Sequence, residues 1–366
     1  MKLLKSPRFW FYVRRALWIL LAWTLISNVL FFYDLITLTS NDALDSNYDF
    51  MANFTANLVG GISGALVGGL FTVNIMEYCL RRFAFWKAVV IILILYTCTA
   101  CLVGGFASAM LESQNLELPF WHPEVIEDAV LVFTEWLFIK NFIIWLFIVF
   151  STLAVLMIND KYGPGVFPDY LKGKYFQPKR ERRIFMFADI KNATGIAESL
   201  GEEKYFHLLK DFFKDISAAI LETRGEVYQY VGDEVVISWK MKQGLKNSNA
   251  IQCYYRMKEL IQKKADKYTE KYTVVPDFKV GYHFGWVMVG ELGQIKRDIA
   301  FSGDVLNTAA RIQAKCNELN VGILASEDFS KILPSLPEGI ERASLGKHEL
   351  KGKASEISLI TFRNKN

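Results

Sequence analysis

Arg183-Ile-Phe-Met-Phe-Ala-Asp189-Ile190 is a short apolar run that ends in an acid, and Tyr230-Val-Gly-Asp233-Glu-Val-Val-Ile237 places a second acid beside a similar run. Runs of this length and composition read as strands, so both aspartates stand at strand edges. Taken singly, such an aspartate is ordinarily a turn or helix-cap residue. As a pair, two carboxylates at strand ends are a natural seat for divalent cations, which most often handle phosphates. A third element, Ser302-Gly-Asp-Val-Leu-Asn307-Thr-Ala-Ala-Arg311, sets an amide and a guanidinium four residues apart on one helix face. Groups of this kind stabilise the transition state of phosphoryl transfer.

Working outward, the chain from 184 onward alternates strand and helix patterns. Strands are expected at 184–188, 278–284, 286–291, 321–325 and 356–362, and a hairpin at 226–230 and 234–239 turning at 231–233. Helices are expected at 194–223, 248–268 and 304–318. This order predicts an α/β sandwich with a mixed or antiparallel sheet. Glu234, next to Asp233, is expected to face the other side of the sheet and to be structural, and His207, His283 and His348 have no partner pattern that implies catalysis.

The first half is different. Hydrophobic residues make up 52% of the 366, and the excess lies before Asp160. Four apolar runs, at 16–38, 56–78, 86–110 and 133–158, each have about the 20 residues that a helix needs to cross a bilayer. Basic residues cluster at Lys2, Lys5, Arg8, Arg14 and Arg15, at Arg81, Arg82 and Lys87, and after the fourth run, whereas the other two links carry Asp42, Asp45, Asp49, Glu112, Glu117, Glu124, Glu127 and Asp128. That asymmetry places both termini in the cytoplasm. The first run is too long for a signal h-region and has no small-residue cleavage site before the next span, so it reads as a retained anchor. The expected organisation is multi-domain: a four-span transmembrane α-helical bundle at 1–158, embedded in membrane lipid; a cytoplasmic linker at 159–183, interrupted by Pro164, Pro168 and Pro178; and an α/β domain at 184–366.

Several membrane-domain features have a bland and a sharper reading. Gly60, Gly64 and Gly68 recur every fourth residue and let helices approach closely, either within the bundle, which is the expectation, or between copies. Glu135 and Lys140 are near the outer end of the fourth run, where snorkelling to the interface is expected rather than a ligand site. Cys98 and Cys101 form a C-x-x-C inside an apolar helix and are expected to be small residues at a helix contact; with Cys79, Cys253 and Cys316 they imply no disulfide framework. The net charge of +4 is small, and the basic clusters are accounted for by membrane orientation, so no nucleic-acid partner is expected.

From about 182 to 364 the chain resembles the class III nucleotide cyclase catalytic domain, a ferredoxin-like α/β fold. The resemblance rests on Phe187-Ala-Asp189-Ile190, Val231-Gly-Asp233-Glu, Gly303-Asp-Val-Leu-Asn307-Thr-Ala-Ala-Arg311 and Leu350-Lys351-Gly352-Lys353, in the family's order. It implies cyclisation of a nucleoside triphosphate for signal transduction. By resemblance, Asp189, Asp233 and the backbone carbonyl of Ile190 hold two Mg²⁺ or Mn²⁺ ions per active site; the turn from Lys191 to Thr194 offers amides to the triphosphate; Asn307 orients the ribose; Arg311 meets the charge on the α-phosphate; and Lys351, rather than Lys353, meets the terminal phosphates. The family builds each site across a dimer, and one copy of each half implies a homodimer.

The chain departs from the pattern at the purine. Adenine-selective members commonly have Lys and Asp or Thr where this chain has Gln229 and Ala300, and guanine-selective members have Glu and a small residue or Cys. The Gln229 amide can bond either base; ATP is the favoured substrate, with a guanylate cyclase as the alternative. In the first loop, Asn192-Ala193-Thr194 replaces Gly-Phe-Thr, and Asn tolerates the left-handed backbone that Gly would allow. Two further readings compete. Val231-Gly-Asp-Glu-Val235 mimics a diguanylate cyclase signature but lacks its second Gly, and a catalytically silent membrane receptor would not need the full set of residues.

Overall fold

The computed structural model describes residues 7–44, 48–78, 85–162, 173–295, 298–353 and 355–365. Lys2, Lys5, Asp45, Cys79, Arg81, Arg82, Pro164 and Pro168, used in the sequence reading, lie outside these residues. The chain divides into two compact units, Met1–Ile158 and Asn159–Asn366.

The first unit contains α1 (Pro7–Ser40), α2 (Phe50–Tyr78), α3 (Phe85–Asn115), a short α4 (Pro123–Leu131) and α5 (Trp136–Tyr162). Among the described residues, four helices are long and apolar enough to cross a membrane, over Tyr12–Ser40, Phe50–Gly69, Val90–Asn115 and Phe138–Asn159. The fourth starts later than expected, because a 3₁₀ turn at Val132–Thr134 and an extended Glu135 precede it. The glycines of α2 serve two neighbours. A Cβ at Gly60 or Gly64 would meet Val103 of α3, whereas one at Gly68 would lie 2.5 Å from Trp23 Cζ3 of α1. The expected close packing within the bundle is therefore present, but Gly68 faces a different helix from Gly60 and Gly64. Trp23 Nε1 donates to Thr152 Oγ1 at 3.1 Å and Ser27 Oγ to Asn57 Oδ1 at 3.0 Å. Lys140 does not simply snorkel: its ammonium pairs with Asp34 of α1. Cys98 and Cys101 are exposed on α3 rather than at a helix contact.

The second unit is a mixed sheet with helices on both faces. Its strands are β1 (Lys179–Ile190), β2 (Glu226–Val231), β3 (Glu234–Lys240), β4 (Phe278–Leu292), β5 (Asp298–Ser302), β6 (Ile323–Ser326), β7 (Ile340–His348) and β8 (Ile357–Asn364). The order is β2-β3-β1-β4-β6-β8-β7, with β5 paired to β4; among the described residues only β4 and β6 run parallel. The helices are α6 (Ala193–Leu200), α7 (Glu202–Glu222), α8 (Met241–Leu245), α9 (Asn249–Gln262), α10 (Ala265–Tyr272), α11 (Asp304–Glu318) and α12 (Glu327–Ile332).

Alternation along β1 builds two cores. Ile184, Met186, Ala188 and Ile190 pack with Leu208, Phe212 and Ile216 of α7 and Ile251 and Met257 of α9. Phe185 and Phe187 pack with Val236, Val287, and Val305 and Ala309 of α11. Three expectations change. The helix expected at 194–223 breaks at Gly201, whose φ of 75° no other residue adopts readily. The two strands expected at 278–284 and 286–291 are one continuous strand. Gly285 is there because a Cβ would lie 2.7 Å from Val305 Cγ2, not because the chain turns. β1 starts at Lys179, inside the expected linker.

Candidate active site

β1 delivers Asp189 to the end of the strand, where it pairs directly with Glu234 of β3 and Lys279 of β4. Directly paired residues project to the same face, so Glu234 faces with Asp189 and not away from it. Strand alternation does not carry through from Asp233, which sits outside the strands after Gly232 (φ 61°) in the β2–β3 turn. Asp189 Oδ2 accepts from Gln313 Nε2 of α11 at 2.9 Å and lies 3.2 Å from Lys279 Nζ.

The carboxyl of Asp233 shares a hydrogen bond with Asp189. Burial, then that bond and the charge of Asp189, push the Asp233 pKa up to about 6. Burial, then the charges of Asp189 and Asp233, push Glu234 up to about 7. Burial followed by the same two aspartates holds the Tyr205 phenol at about 12. Three acids thus crowd one lysine, an excess of oxygen donors and negative charge that suits a hard divalent cation. Among the described residues no group of three or more His, Cys, Asp and Glu side chains is gathered around a single metal position. Lys279 was not visible as a site residue in the sequence. It is 8% exposed, and only the pairing of β1 with β4 brings it to the acids.

The Asn307/Arg311 helix is seated by a glycine. A Cβ at Gly281 of β4 would lie 2.3 Å from the Gln313 backbone nitrogen, so α11 rests directly on the strand. Thr308, Ala309, Ile312, Gln313 and Cys316 are buried. At about 100° per residue, Arg311 and Asn307 lie roughly 160° and 120° around α11 from Gln313. Asn307 is exposed and Arg311 half-buried. The structure therefore gathers the two acids, and gathers Asn307 with Arg311, but turns the second set away from the first within one chain.

Leu350 packs with Ile312 and Cys316 and pins the following turn to α11. A Cβ at Gly352 (φ 70°) would lie 3.3 Å from Arg311 Nη2, so Arg311 lies along that turn. Lys353 pairs with Asp304 in the first turn of α11, while Lys351 is exposed. Gln229, exposed on β2, and Ala300, half-buried on β5, are next in the chain to Tyr228 and Phe301, whose rings are 5.0 Å apart. Thr194 lies in the first turn of α6, whose amides have no intrahelical partner. Asn192 before it is left-handed (φ 54°, ψ 35°), as its residue type allows. The Lys191 amide is not available to a phosphate, because it donates to Asp277 O at 2.9 Å.

The domain is thus a mixed sheet with an acid pair at its strand ends and an Asn/Arg helix on the same face. The profile of the Adenylate and Guanylate cyclase catalytic domain matches residues 177–362, about half the chain, and the chain belongs to that family. Adenylate cyclase 2 of Rhizobium meliloti (strain 1021) is 30% identical over 210 residues, which is 57% of this chain and 58% of that protein. An adenylate cyclase of Anabaena cylindrica is 27% identical over 188 residues, 49% of this chain and 36% of that one. The chain thus spans less than two thirds of these relatives. A bacterial light-regulated adenylyl cyclase structure superposes with a TM-score of 0.50 at 21% identity, covering 62% of this chain and 64% of that one. The adenylyl cyclase CyaB of P. aeruginosa gives 0.44 at 21% identity, covering 52% and 98%.

Proposed function

We propose that this chain is a membrane-anchored nucleotide cyclase that converts ATP to 3′,5′-cyclic AMP and pyrophosphate, working as a homodimer with its catalytic unit in the cytoplasm. The observation that carries this reading is the division of α11: its buried face holds Asp189 of the same chain through Gln313, and its other face offers Asn307 and Arg311. A second copy supplies what each acid pair lacks.

Asp189, Asp233 and the carbonyl of Ile190 would hold two Mg²⁺ or Mn²⁺ ions. Such ions, when bound, make the ribose 3′-hydroxyl more acidic and neutralise phosphate charge. The bond formed is O3′–Pα, the bond broken is Pα–O to the β-phosphate, which leaves with pyrophosphate, and the hydroxyl proton passes to solvent water. Asn307 of the facing copy orients the ribose for in-line attack. Arg311 presents a planar, permanently charged fork to the α-phosphate oxygens as charge builds there. Lys351 meets the departing pyrophosphate, while Lys353 is engaged by Asp304. Lys279 balances the acids from within their own strand layer. The first-turn amides around Thr194 face phosphate. Gln229 and Ala300 meet the purine. Ala300 has no polar side-chain atom with which to choose a base, and the relatives named adenylate cyclase support ATP.

The test is incubation of the purified full chain with Mn²⁺ and ATP, then GTP, with products identified by mass. Cyclic AMP supports the proposal. Cyclic GMP transfers it to guanylate cyclisation, cyclic di-GMP replaces the mechanism, and no turnover leaves a silent receptor.

A further inference from the structure

Arg183 of β1 is 1% exposed, and a guanidinium this deep is tolerated only if its donors are engaged. Its Nη1 donates to Glu226 Oε2 of β2 at 2.6 Å and to Ser238 Oγ of β3 at 3.1 Å, and its Nε donates to Glu181 Oε2 at 2.9 Å. The flat face of the group stacks 4.7 Å from the ring centroid of Phe301 on β5. Phe301 is held on two further sides. Its ring meets Phe185 edge-on at 5.5 Å, and its N–H donates to the Tyr228 hydroxyl at 3.3 Å.

Tyr228 is the extra residue of a β-bulge, where the β2–β3 register slips between Val227 and Gln229. Bulges re-aim the side chains beside them. Gln229 and Ala300, the residues assigned to the purine above, are therefore each one residue from a ring in this cluster. The cluster also reaches the segment that enters the domain. Glu181 lies 3.7 Å from Lys174 Nζ, Glu291 N–H donates to Tyr175 O at 3.1 Å, and Glu291 pairs with Ile299 next to Ala300.

We propose that Arg183 is a positioning residue that sets the spacing of Gln229 and Ala300, and so controls which purine is held and how tightly, without touching the nucleotide. This rests on the cyclase reading above. Lysine at 183 keeps the charge but loses the planar fork that joins Glu181, Glu226 and the Phe301 ring. Phenylalanine at 228 removes only the acceptor of the Phe301 N–H.

The experiment is calorimetry on the full chain in detergent with Mn²⁺ and 3′-deoxy-ATP, 3′-deoxy-GTP or inorganic pyrophosphate, for wild type, Arg183→Lys and Tyr228→Phe. None of these ligands can cyclise, so the result is independent of turnover, which the product assay measures separately. Both variants are expected to weaken the deoxy-ATP complex by about tenfold and to shift the adenine-to-guanine ratio, while pyrophosphate binding stays unchanged. A parallel loss of pyrophosphate binding, or an unchanged base ratio, overturns the proposal. Should Arg183→Lys fail to fold, Tyr228→Phe decides alone. A wild type that binds no nucleotide overturns both this inference and the cyclase reading; one that binds but produces no cyclic nucleotide overturns only the latter.

Discussion

Gln313 Nε2 donates to Asp189 Oδ2 at 2.9 Å, from the side of α11 that packs on its own sheet. The side bearing Asn307 and Arg311 faces away from Asp189, and in the proposed dimer it serves the other copy. Asp189→Ala and Asn307→Ala are each expected to lose on the order of 10²–10³ in rate. Co-expressed, they should recover up to roughly a quarter of wild-type turnover, since about half the dimers are mixed and each of those keeps one whole site. Mixed dimers that form, as shown by pull-down through two tags, yet stay inactive would refute the shared site.

The two lysines of the Lys351–Lys353 turn should differ. Lys353 is engaged by Asp304, whereas Lys351 is exposed. Lys351→Ala is expected to lower kcat/KM by roughly 10- to 100-fold, the worth of a charge-assisted phosphate contact. Lys353→Ala should cost less, through a looser turn. Steady-state kinetics with ATP would show the order, and the reverse order would exchange the two roles.

Gly281→Val tests the seat of α11. The added carbon would fall 2.3 Å from the Gln313 nitrogen, so the helix must lift. Overpacking of this kind typically costs about 1–3 kcal/mol. The expected result is a lower melting temperature with loss of activity, although no proposed substrate contact has been altered.

How much of this was legible in the sequence depended on how local each signal was. The acids at 189 and 233 and the Asn307/Arg311 pair are set by short-range periodicity, and the structure places them on a strand end, a turn and a helix as expected. Lys279, Gln313 and the facing of Glu234 are set by strand register and by helix-on-sheet packing, which join positions far apart in the chain. The break expected between 284 and 286 fails for a related reason. A strand glycine can mark either a turn or a close approach, and only Val305 on α11 shows which one applies.

His283 should make the catalytic unit acid-sensitive. Burial, then the positive charge of Lys353, lowers its pKa to about 4, against the weaker opposite pull of Asp328 and Asp304. Its Nδ1 is 2.7 Å from Ser326 Oγ. Because the folded value is below that of the unfolded chain, near 6.5, the protons bind preferentially to the unfolded state. The contribution is full above about pH 6.5 and is lost as the pH falls toward 4. His283→Gln should therefore flatten the fall in melting temperature between about pH 7 and 5; an unchanged slope would remove His283 as its source.

In the helical unit, Asp34 and Lys140 join α1 to α5. Asp34→Asn alone leaves a cation without its partner and should destabilise by about 1–2 kcal/mol, tempered because Lys140 is 39% exposed. Adding Lys140→Met should recover much of the loss in a detergent melt. A double variant as unstable as the single one would show that the pair has no coupling.

In the proposed dimer, an arginine that looks away from its own acids gives each molecule an output that depends on company. Sparse copies scattered over a wide bilayer would stay idle, and crowding them into a small area would raise the yield per molecule. The number of chains per unit of surface then acts as a control in its own right, before any stimulus reaches the helices.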